Sequence, residues 1–334
     1  MREKISILGA GSWGTTLAVI LSKKENLEVT LWSPFAEKIE EIKKFKENRT
    51  FLPLIAIPQQ LILTSDLDKA LISDIIMIAI PVEYLRQNLK KIRQIKINLK
   101  NKIFLSLIKG IEIKSLKRPT SIIKEELKIK DTQIAVLSGP TIAREVAAGI
   151  PAVATIASKN LAVALKLQRL FKDTPLRIYT NVDVVGIETA GALKNIIAIA
   201  CGISDGLGFG TNTKAALICR GLKEMIRFAK AFGIKKDVFF GISGIGDLCT
   251  TCFSKFSRNR TVGEEIGRGI PLKQVLKNME MVAEGVNTTK AVYNLAKKYK
   301  IDMPITTEVY KILYLNKSPK EAVYDLMSRP LKAE

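Results

Sequence analysis

The sequence predicts an α/β protein in two parts, a doubly wound sheet over residues 1–188 and an all-α domain over residues 189–334. Three observations carry this. Short β-branched runs alternate with helical patterns in the first half, a glycine-rich turn closes the first run, and long helical patterns dominate from about Thr189. A chain of 334 residues is long enough for two domains and a sizeable core.

Each element has its own signal. "KISILGAG" reads as a strand running into a glycine turn, and "GTTLAVILSKK" as the helix after it. "EVTLWS" is a second strand, and "SDIIMIAIP", "KIFLSLIKG" and "IAVLSGP" follow as apolar strands bounded by turn residues. Continuous apolar strands separated by helices argue for a parallel sheet covered on both faces. Further on, "GALKNIIAIACGI", "NTKAALICRGLKEMIRFAKAFG", "PLKQVLKNM", "TKAVYNLAKKY", "TEVYKILYL" and "PKEAVYDLM" are helical patterns. Gly and Pro punctuate them at "GLGFG", "GISGIGD" and "DMP".

Composition narrows the chemistry. The 53 Lys and Arg against 32 Asp and Glu give a net charge of +21, which raises nucleic acid or an anionic membrane as partners. The basic residues are mostly lysines, scattered as in "LRQNLKKIRQIKINLKNK", which reads as a solvated surface, although such a field still favours small anionic substrates. A nucleic-acid-binding redox sensor would cluster its basic residues with aromatics, and only 6% of residues are aromatic. No stretch offers the roughly 18 consecutive apolar residues of a membrane span. The N-terminal "MREKISILGAGSWG" has too short an apolar run for a signal peptide, so we expect a soluble, cytoplasmic protein without stable membrane insertion.

Four cysteines do not make a disulfide framework in a chain this size. Cys249 and Cys252 form a C-x-x-C, but structural zinc needs four ligands, Cys201 and Cys219 lie singly in helical runs, and there is no histidine. We expect four reduced thiols, two of them buried, and no metal. The missing histidine also excludes imidazole-dependent dehydrogenases and Ser-His-Asp hydrolases. Proton transfer falls to Lys, Asp, Glu, Tyr or Cys.

Gly9, Gly11 and Gly14 form G-x-G-x-x-G between a strand and a helix, with Ser12 and Trp13 inside the motif. In that context the glycines give a tight turn, close approach of a pyrophosphate and close strand–helix packing, with helix N-terminal amides holding the phosphates. We therefore expect the first domain to be a Rossmann-type dinucleotide-binding sheet, with a glycine turn that binds nothing as the lesser alternative. The acidic residue usual at the end of the second strand is missing: Ser33 and Pro34 stand there.

Lys109, ending a strand in "LSLIKGIE", either faces ligand or is a solvated loop residue. In "LSGPTIAREV", Gly139 turns the chain and Thr141 can cap the next helix, which alone would explain it. "SKFSRNRTVGEEIG" is the anion-site candidate, where Ser257, Arg258, Asn259 and Arg260 bring hydroxyl, guanidinium and amide donors ahead of a helix; a basic surface loop is the plainer alternative. Asp247 follows a flexible glycine run, where it can bind a substrate hydroxyl or a lysine. Lys194 precedes "IIAIAC", a segment apolar on every helical face. It is either a general base, its pKa lowered by desolvation or a neighbouring cation, or a lysine at the helix mouth that snorkels to water.

Taken together these segments resemble the bacterial-type NAD(P)-dependent glycerol-3-phosphate dehydrogenase family. The resemblance runs through "GAGSWGTTLA", "LIKGIE", "LSGPTIAREV", "ETAGALKNIIAIACGISDGLGFGTNTKAALICRGLKEM", "GISGIGDLCTTCFSKFSRNRTVGEEIGRG" and "MVAEGVNTTKAV". It implies NAD or NADP as cofactor and reversible reduction of dihydroxyacetone phosphate to sn-glycerol 3-phosphate, feeding glycerophospholipid synthesis. The lysine of A-L-K-N, Lys194, would be the catalytic base. Lys109, Gly139, Thr141, Lys194, Asp247, Ser257, Arg258 and Asn259 would contact substrate. Ser12, Trp13, Lys109, Ala143, Arg258, Val282 and Glu284 would contact cofactor beside Gly9, Gly11 and Gly14. Lys109 and Arg258 would thus lie where cofactor and substrate meet. A homodimer is expected, with no nucleic-acid partner. Two positions depart from the family pattern: Pro34 replaces an Arg or His that bears on NAD versus NADP preference, and Ile108 replaces the serine before Lys109. The rival within enzymes is another lysine-dependent dehydrogenase acting on a different hydroxy acid.

Overall fold

The computed structural model describes residues 2–95 and 97–331. The chain forms two compact units, Met1–Lys109 with Lys117–Glu188, and Gly110–Leu116 with Thr189–Glu334. The short segment Gly110–Leu116 therefore packs with the second unit, although it lies within the first half of the sequence.

The first unit is built on an eight-stranded sheet. Its strands are β1 (Glu3–Leu8), β2 (Leu27–Trp32), β5 (Ile62–Thr64), β6 (Ile75–Ile78), β7 (Ile103–Ser106), β8 (Ile134–Ser138), β9 (Ala152–Ser158) and β10 (Leu176–Asn181); a separate hairpin pairs β3 (Glu47–Asn48) with β4 (Leu52–Ala56). The order is β10-β9-β8-β7-β6-β1-β2-β5. β1 has β2 on one side and β6 on the other, both parallel to it, so the chain reverses its direction of travel there. The crevice at the carboxyl ends of such strands is where an open α/β sheet binds ligand.

Side-chain alternation explains the two covered faces. Ile5, Ile7, Met77 and Leu105 join a core with Leu17 and Leu21 of α1 (Ser12–Ser22). Their neighbours Leu8, Ile76, Ile78 and Phe104 join another with Leu85 and Leu89 of α4 (Val82–Gln94) and Ile122 of α5 (Pro119–Leu127). Between these helices lie α2 (Ala36–Phe45) and the single turn α3 (Leu67–Ala70), and α6 (Ala143–Ala147) and α7 (Leu161–Leu170) follow. The five strands read from the sequence, β1, β2, β6, β7 and β8, pair in parallel as expected, and the sheet continues past them in mixed fashion. β9 runs antiparallel to β8, and β10 runs parallel to β9. The connection between β8 and β9, residues 139–151, carries the five-residue α6.

The second unit is helical: the greater part of α8 (Val184–Gly206), then α9 (Thr211–Ala231), α10 (Asp247–Phe253), α11 (Arg258–Gly267), α12 (Leu272–Lys277), α13 (Glu284–Lys298), α14 (Pro304–Leu315) and α15 (Pro319–Met327). α8 is long and apolar enough to cross a membrane, but 94% of its most apolar window is buried inside the protein, as the central helix of a core must be. Leu193, Ile196, Ile199 and Ile203 on α8 meet Ile218 and Phe228 of α9, Val262 of α11, Val292 of α13 and Val309 of α14. The glycine run before Asp247 is no flexible loop. Ile242–Gly246 forms a π-helical turn, and a Cβ on Gly244 would lie 2.2 Å from the Phe239 carbonyl oxygen.

Helices α8 and α11 touch backbone to backbone. A Cβ on Gly202 would stand 2.0 Å from the Arg260 carbonyl oxygen, and one on Gly206 2.2 Å from that of Glu264. Reciprocally, a Cβ on Gly263 would meet the Ile199 carbonyl oxygen at 2.1 Å, and one on Gly267 that of Ile203 at 2.4 Å. Two glycines four residues apart on each helix therefore set the depth at which α11 seats on α8.

Candidate active site

In the first unit the glycine motif joins β1 to α1, and its three glycines have three separate reasons. Gly9 has φ +117°, where a side chain is strained, and its Cβ would lie 2.7 Å from the Ala79 carbonyl oxygen. Gly14 packs helix on strand, since its Cβ would lie 2.0 Å from the Gly9 carbonyl oxygen. Gly11 has neither reason: its φ is −76° and an added Cβ meets nothing within 4 Å. A glycine that neither backbone nor packing demands suits the close approach of a ligand from outside.

The start of α1 supports that reading. Gly11 caps the helix without a side-chain hydrogen bond, and the first turn holds no acidic residue to oppose an anion. The buried Trp13 Nε1 has no hydrogen-bond partner among the described residues, a donor left for something else. The loop therefore fits the pyrophosphate-bearing dinucleotide that the sequence suggests. Ala143, at the start of α6, is held beside the same turn, because Thr16 Oγ1 donates to both the Ser12 carbonyl (2.9 Å) and the Ala143 carbonyl (3.0 Å).

Lys109, past the end of β7, is partly buried and donates from Nζ to the Gly139 carbonyl at 2.9 Å, so it is not a solvated loop lysine. Gly139, at φ +156°, lets β9 pass, since a Cβ there would lie 2.7 Å from Ala154 Cα. Thr141 does not cap α6, as the sequence suggests it could. Its hydroxyl donates back to the Gly139 carbonyl at 3.2 Å, and the N-cap position belongs to Ile142. These three residues gather around one carbonyl at the ends of β7 and β8.

In the second unit Lys194 is 5% exposed and does not snorkel to water. Its ammonium lies 2.7 Å from Asp247 Oδ1 and donates to Thr251 Oγ1. Thr251 in turn donates to the Asp247 main-chain carbonyl at 2.7 Å, so α10 grips the lysine with two side chains one helical turn apart. The charged neighbour is thus a carboxylate and not the cation that the sequence reading entertained. Thr251 was not singled out from sequence. Its signal was there, four residues after Asp247 on one helix face, but "TT" before a cysteine reads as helix filler.

The anion cluster divides between cap, carbonyl and ion-pair partners. Ser257 caps α11, accepting from Arg260 N at 3.3 Å. Arg258 donates from Nη1 to the Val282 carbonyl at 3.0 Å; burial lowers its pKa while the Glu284 charge acts to raise it. Asn259 Oδ1 accepts from Gly285 N at 2.9 Å, and a Cβ on Gly285 would lie 2.9 Å from the Asn195 carbonyl oxygen. Through Gly285 the cluster reaches the residue next to Lys194. Asn195, buried and also missed from sequence, sits at that junction. Arg260 is committed elsewhere, to Asp205 at 2.7 Å and Glu264 at 3.1 Å.

The four thiols are free, with Cys201 and Cys252 buried. A hydrogen bond with Cys201, and then burial, push the Cys252 thiol well above its usual range, so the C-x-x-C packs a core and has no reactive thiolate there. Among the described residues no three His, Cys, Asp or Glu side chains gather where a metal ion could be held.

Comparison with known proteins identifies the lineage. The profile of the NAD-dependent glycerol-3-phosphate dehydrogenase N-terminus matches residues 4–164, and that of the C-terminus matches residues 183–324. The chain is 47% identical over 336 positions to the glycerol-3-phosphate dehydrogenase (NAD(P)+) of Citrifermentans bemidjiense, covering 100% of this chain and 99% of that one. It is 47% identical over 332 positions to the enzyme of the same name from Thermoanaerobacter sp., covering 99% and 98%. Among solved structures, the glycerol-3-phosphate dehydrogenase of Coxiella burnetii superposes with a TM-score of 0.92 at 35% identity, over 98% of this chain and 99% of that one. With both halves matched and relatives aligned end to end, the chain belongs to the NAD-dependent glycerol-3-phosphate dehydrogenase family.

Proposed function

We propose that this protein catalyses the reversible NAD(P)H-dependent reduction of dihydroxyacetone phosphate to sn-glycerol 3-phosphate, with Lys194 as general acid and base. Residues 1–188 serve as the dinucleotide-binding domain, and residues 189–334 carry catalysis. The observation that carries the reading is the buried Lys194–Asp247–Thr251 cluster in a chain of this family with no histidine.

The nicotinamide, when bound, supplies the hydride that reduces C2 of the ketone. The protein supplies the proton. Lys194, aimed by Asp247 and Thr251, donates from Nζ to the oxygen on C2 as that oxygen gains charge, and in oxidation it takes the proton back. Asp247 also binds the neighbouring substrate hydroxyl.

Arg258, the Asn259 amide and the Ser257 hydroxyl hold the phosphate, where the N-terminal amides of α11 favour an anion. Fixing the phosphate holds C2 in place, which converts binding energy into positioning. Lys109, Gly139 and Thr141 complete the substrate contacts. Gly9, Gly11, Ser12, Trp13, Gly14, Lys109, Ala143, Arg258, Val282 and Glu284 hold the cofactor. The enzyme acts on its small phosphorylated substrate as a cytoplasmic homodimer.

Lys194→Ala is expected to cut turnover at least about a hundredfold while NADH still binds, the scale of losing a general acid–base. The check is NADH oxidation with dihydroxyacetone phosphate alongside an NADH titration. Turnover close to wild type would remove Lys194 from the mechanism, and inactivity of the wild type on this substrate would favour a different hydroxy acid.

A further inference from the structure

Asn48 lies in the two-residue strand β3, far in sequence from the glycine motif, yet it is 3% exposed and bonded directly to it. Its Nδ2 donates to the Ala10 carbonyl at 2.9 Å and to Thr15 Oγ1 at 2.8 Å. Its Oδ1 accepts from Phe51 N at 3.2 Å, closing the turn of the β3–β4 hairpin. We propose that Asn48 is a positioning residue for dinucleotide binding, fixing the Ala10–Gly11 peptide and the first turn of α1 in the orientation that receives the cofactor. The proposal rests on the dinucleotide-binding reading of that loop.

The two halves of the carboxamide separate this role from a merely structural one. Closing the hairpin turn needs only an acceptor, which Asp or Ser would supply as well as Asn. The donor half contributes nothing to the hairpin. Its hydrogens cross to the glycine turn and to the helix that turn opens, one to the residue between Gly9 and Gly11 and one to the buried hydroxyl of Thr15 on α1, just past the motif. Because a trans peptide is planar, with its C=O and N–H opposed, holding the Ala10 carbonyl toward Asn48 turns the Gly11 N–H away from it. Gly11 has no side chain and no packing neighbour at its Cβ position to fix that plane by other means.

The residue type fits the task. Two neutral acceptors face Nδ2, so a donor is required, and the Ala10 carbonyl can only accept. A carboxylate at this place would oppose the Ala10 oxygen and bring negative charge to a loop that receives pyrophosphate. A lysine would need a longer path and a buried charge.

The test is the dissociation constant for NADH, measured by calorimetry on Asn48→Asp, Asn48→Ala, Thr15→Val and a hairpin control, Leu52→Ala, together with steady-state kinetics and thermal midpoints. Leu52 is a buried residue of β4 that makes no hydrogen bond to the glycine motif. Asn48→Asp keeps shape and the acceptor for Phe51 but loses the donors, so the NADH dissociation constant should rise about tenfold or more. Its kcat at saturating NADH should stay within about twofold of wild type, since the proton-transfer residues are untouched. Thr15→Val should weaken NADH less, and Leu52→Ala should lower the midpoint without weakening NADH. Wild-type affinity in Asn48→Asp overturns the proposal, as does weakening in Leu52→Ala that tracks its loss of stability. Should Asn48→Asp not fold, Asn48→Ala read beside Leu52→Ala makes the same comparison. Failure of the wild type itself to bind NADH would instead overturn the dinucleotide reading.

Discussion

Lys194 and Arg258 are two cations of one helical unit, held in opposite ways. Lys194 is matched inside the protein by the Asp247 carboxylate, so its direction is fixed before anything binds. Arg258 donates to a main-chain carbonyl and feels the Glu284 charge, while its near neighbour Arg260 is consumed by Asp205 and Glu264. From "SRNR" alone the two arginines are equivalent. Helix geometry separates them, because residues two apart on a helix face different sides. With NADH saturating, Arg258→Ala should therefore raise KM for dihydroxyacetone phosphate by about a hundredfold, the loss of one or two charge-assisted hydrogen bonds, and weaken unphosphorylated dihydroxyacetone far less, only through its cofactor contact. Arg260→Ala should act mainly on the thermal midpoint. Steady-state kinetics on both ketones decides it, and equal losses on the two would place the phosphate elsewhere. Lys194, by contrast, was legible as an anomaly, a charge where the pattern leaves room for none. Asp247 was legible as a carboxylate able to bind a lysine, but Thr251 was not, since a threonine in a helical run carries no such signal.

At the scale of elements, the geometry of the second unit depends on the glycine crossing of α8 with α11. α8 carries Lys194 and Asn195, and α11 opens with Arg258 and Asn259, so the separation of the two helices sets how far the phosphate donors stand from the proton donor. Gly263→Ala would put a Cβ 2.1 Å from the Ile199 carbonyl oxygen, a contact with backbone that no rotamer relieves. We expect a folded protein with a lowered thermal midpoint and kcat/KM down at least about tenfold, as a misplacement near 1 Å suffices for such losses. Gly210→Ala, with open space at its Cβ and φ −87°, should leave kcat/KM near wild type and is the control. A Gly263→Ala enzyme of unchanged kcat/KM would mean that helix depth does not govern the site. The sequence revealed the elements and little of this contact. β1, β2, β6, β7 and β8 were legible as apolar runs ending in turn residues, and the later helices by their periodicity. The reversed direction of β9 was hidden because pattern reports burial and not chain path. The π turn at Ile242–Gly246 was hidden because glycines wanted for close packing look like glycines wanted for flexibility.

At the scale of the whole molecule, the net charge of +21 and the end of β2 together bear on cofactor choice. Discrimination between NADH and NADPH needs a local partner, a carboxylate for a ribose 2′-hydroxyl or a guanidinium for a 2′-phosphate. Ser33 is buried and its hydroxyl accepts from Phe35 N at 3.3 Å, so it is already engaged in its own turn. Pro34 has no donor to offer. Lys38, the cation in the first turn of α2, donates to Thr50 Oγ1 at 3.2 Å and lies 3.6 Å from Glu41, which partly neutralises it. Arg49 stacks on the Phe45 ring at 3.7 Å and faces Glu47. What remains for a 2′-phosphate is the diffuse attraction of a strongly cationic protein, and that attraction is screened beyond about 8 Å at physiological ionic strength. The enzyme should therefore use NADH at least as well as NADPH, with the relative kcat/KM of NADPH highest at low salt and falling as salt is added. The same screening should raise KM for dihydroxyacetone phosphate with salt while leaving kcat at saturation nearly unchanged, because the field acts on encounter and not on proton transfer. Measuring kcat/KM for both cofactors at about 10 mM and about 150 mM ionic strength, where the screening length shortens from roughly 30 to 8 Å, separates the two sources. A strong NADPH preference that survives the higher salt would require a specific 2′-phosphate contact, and neither Lys38 nor Arg49 in its present pairing provides one.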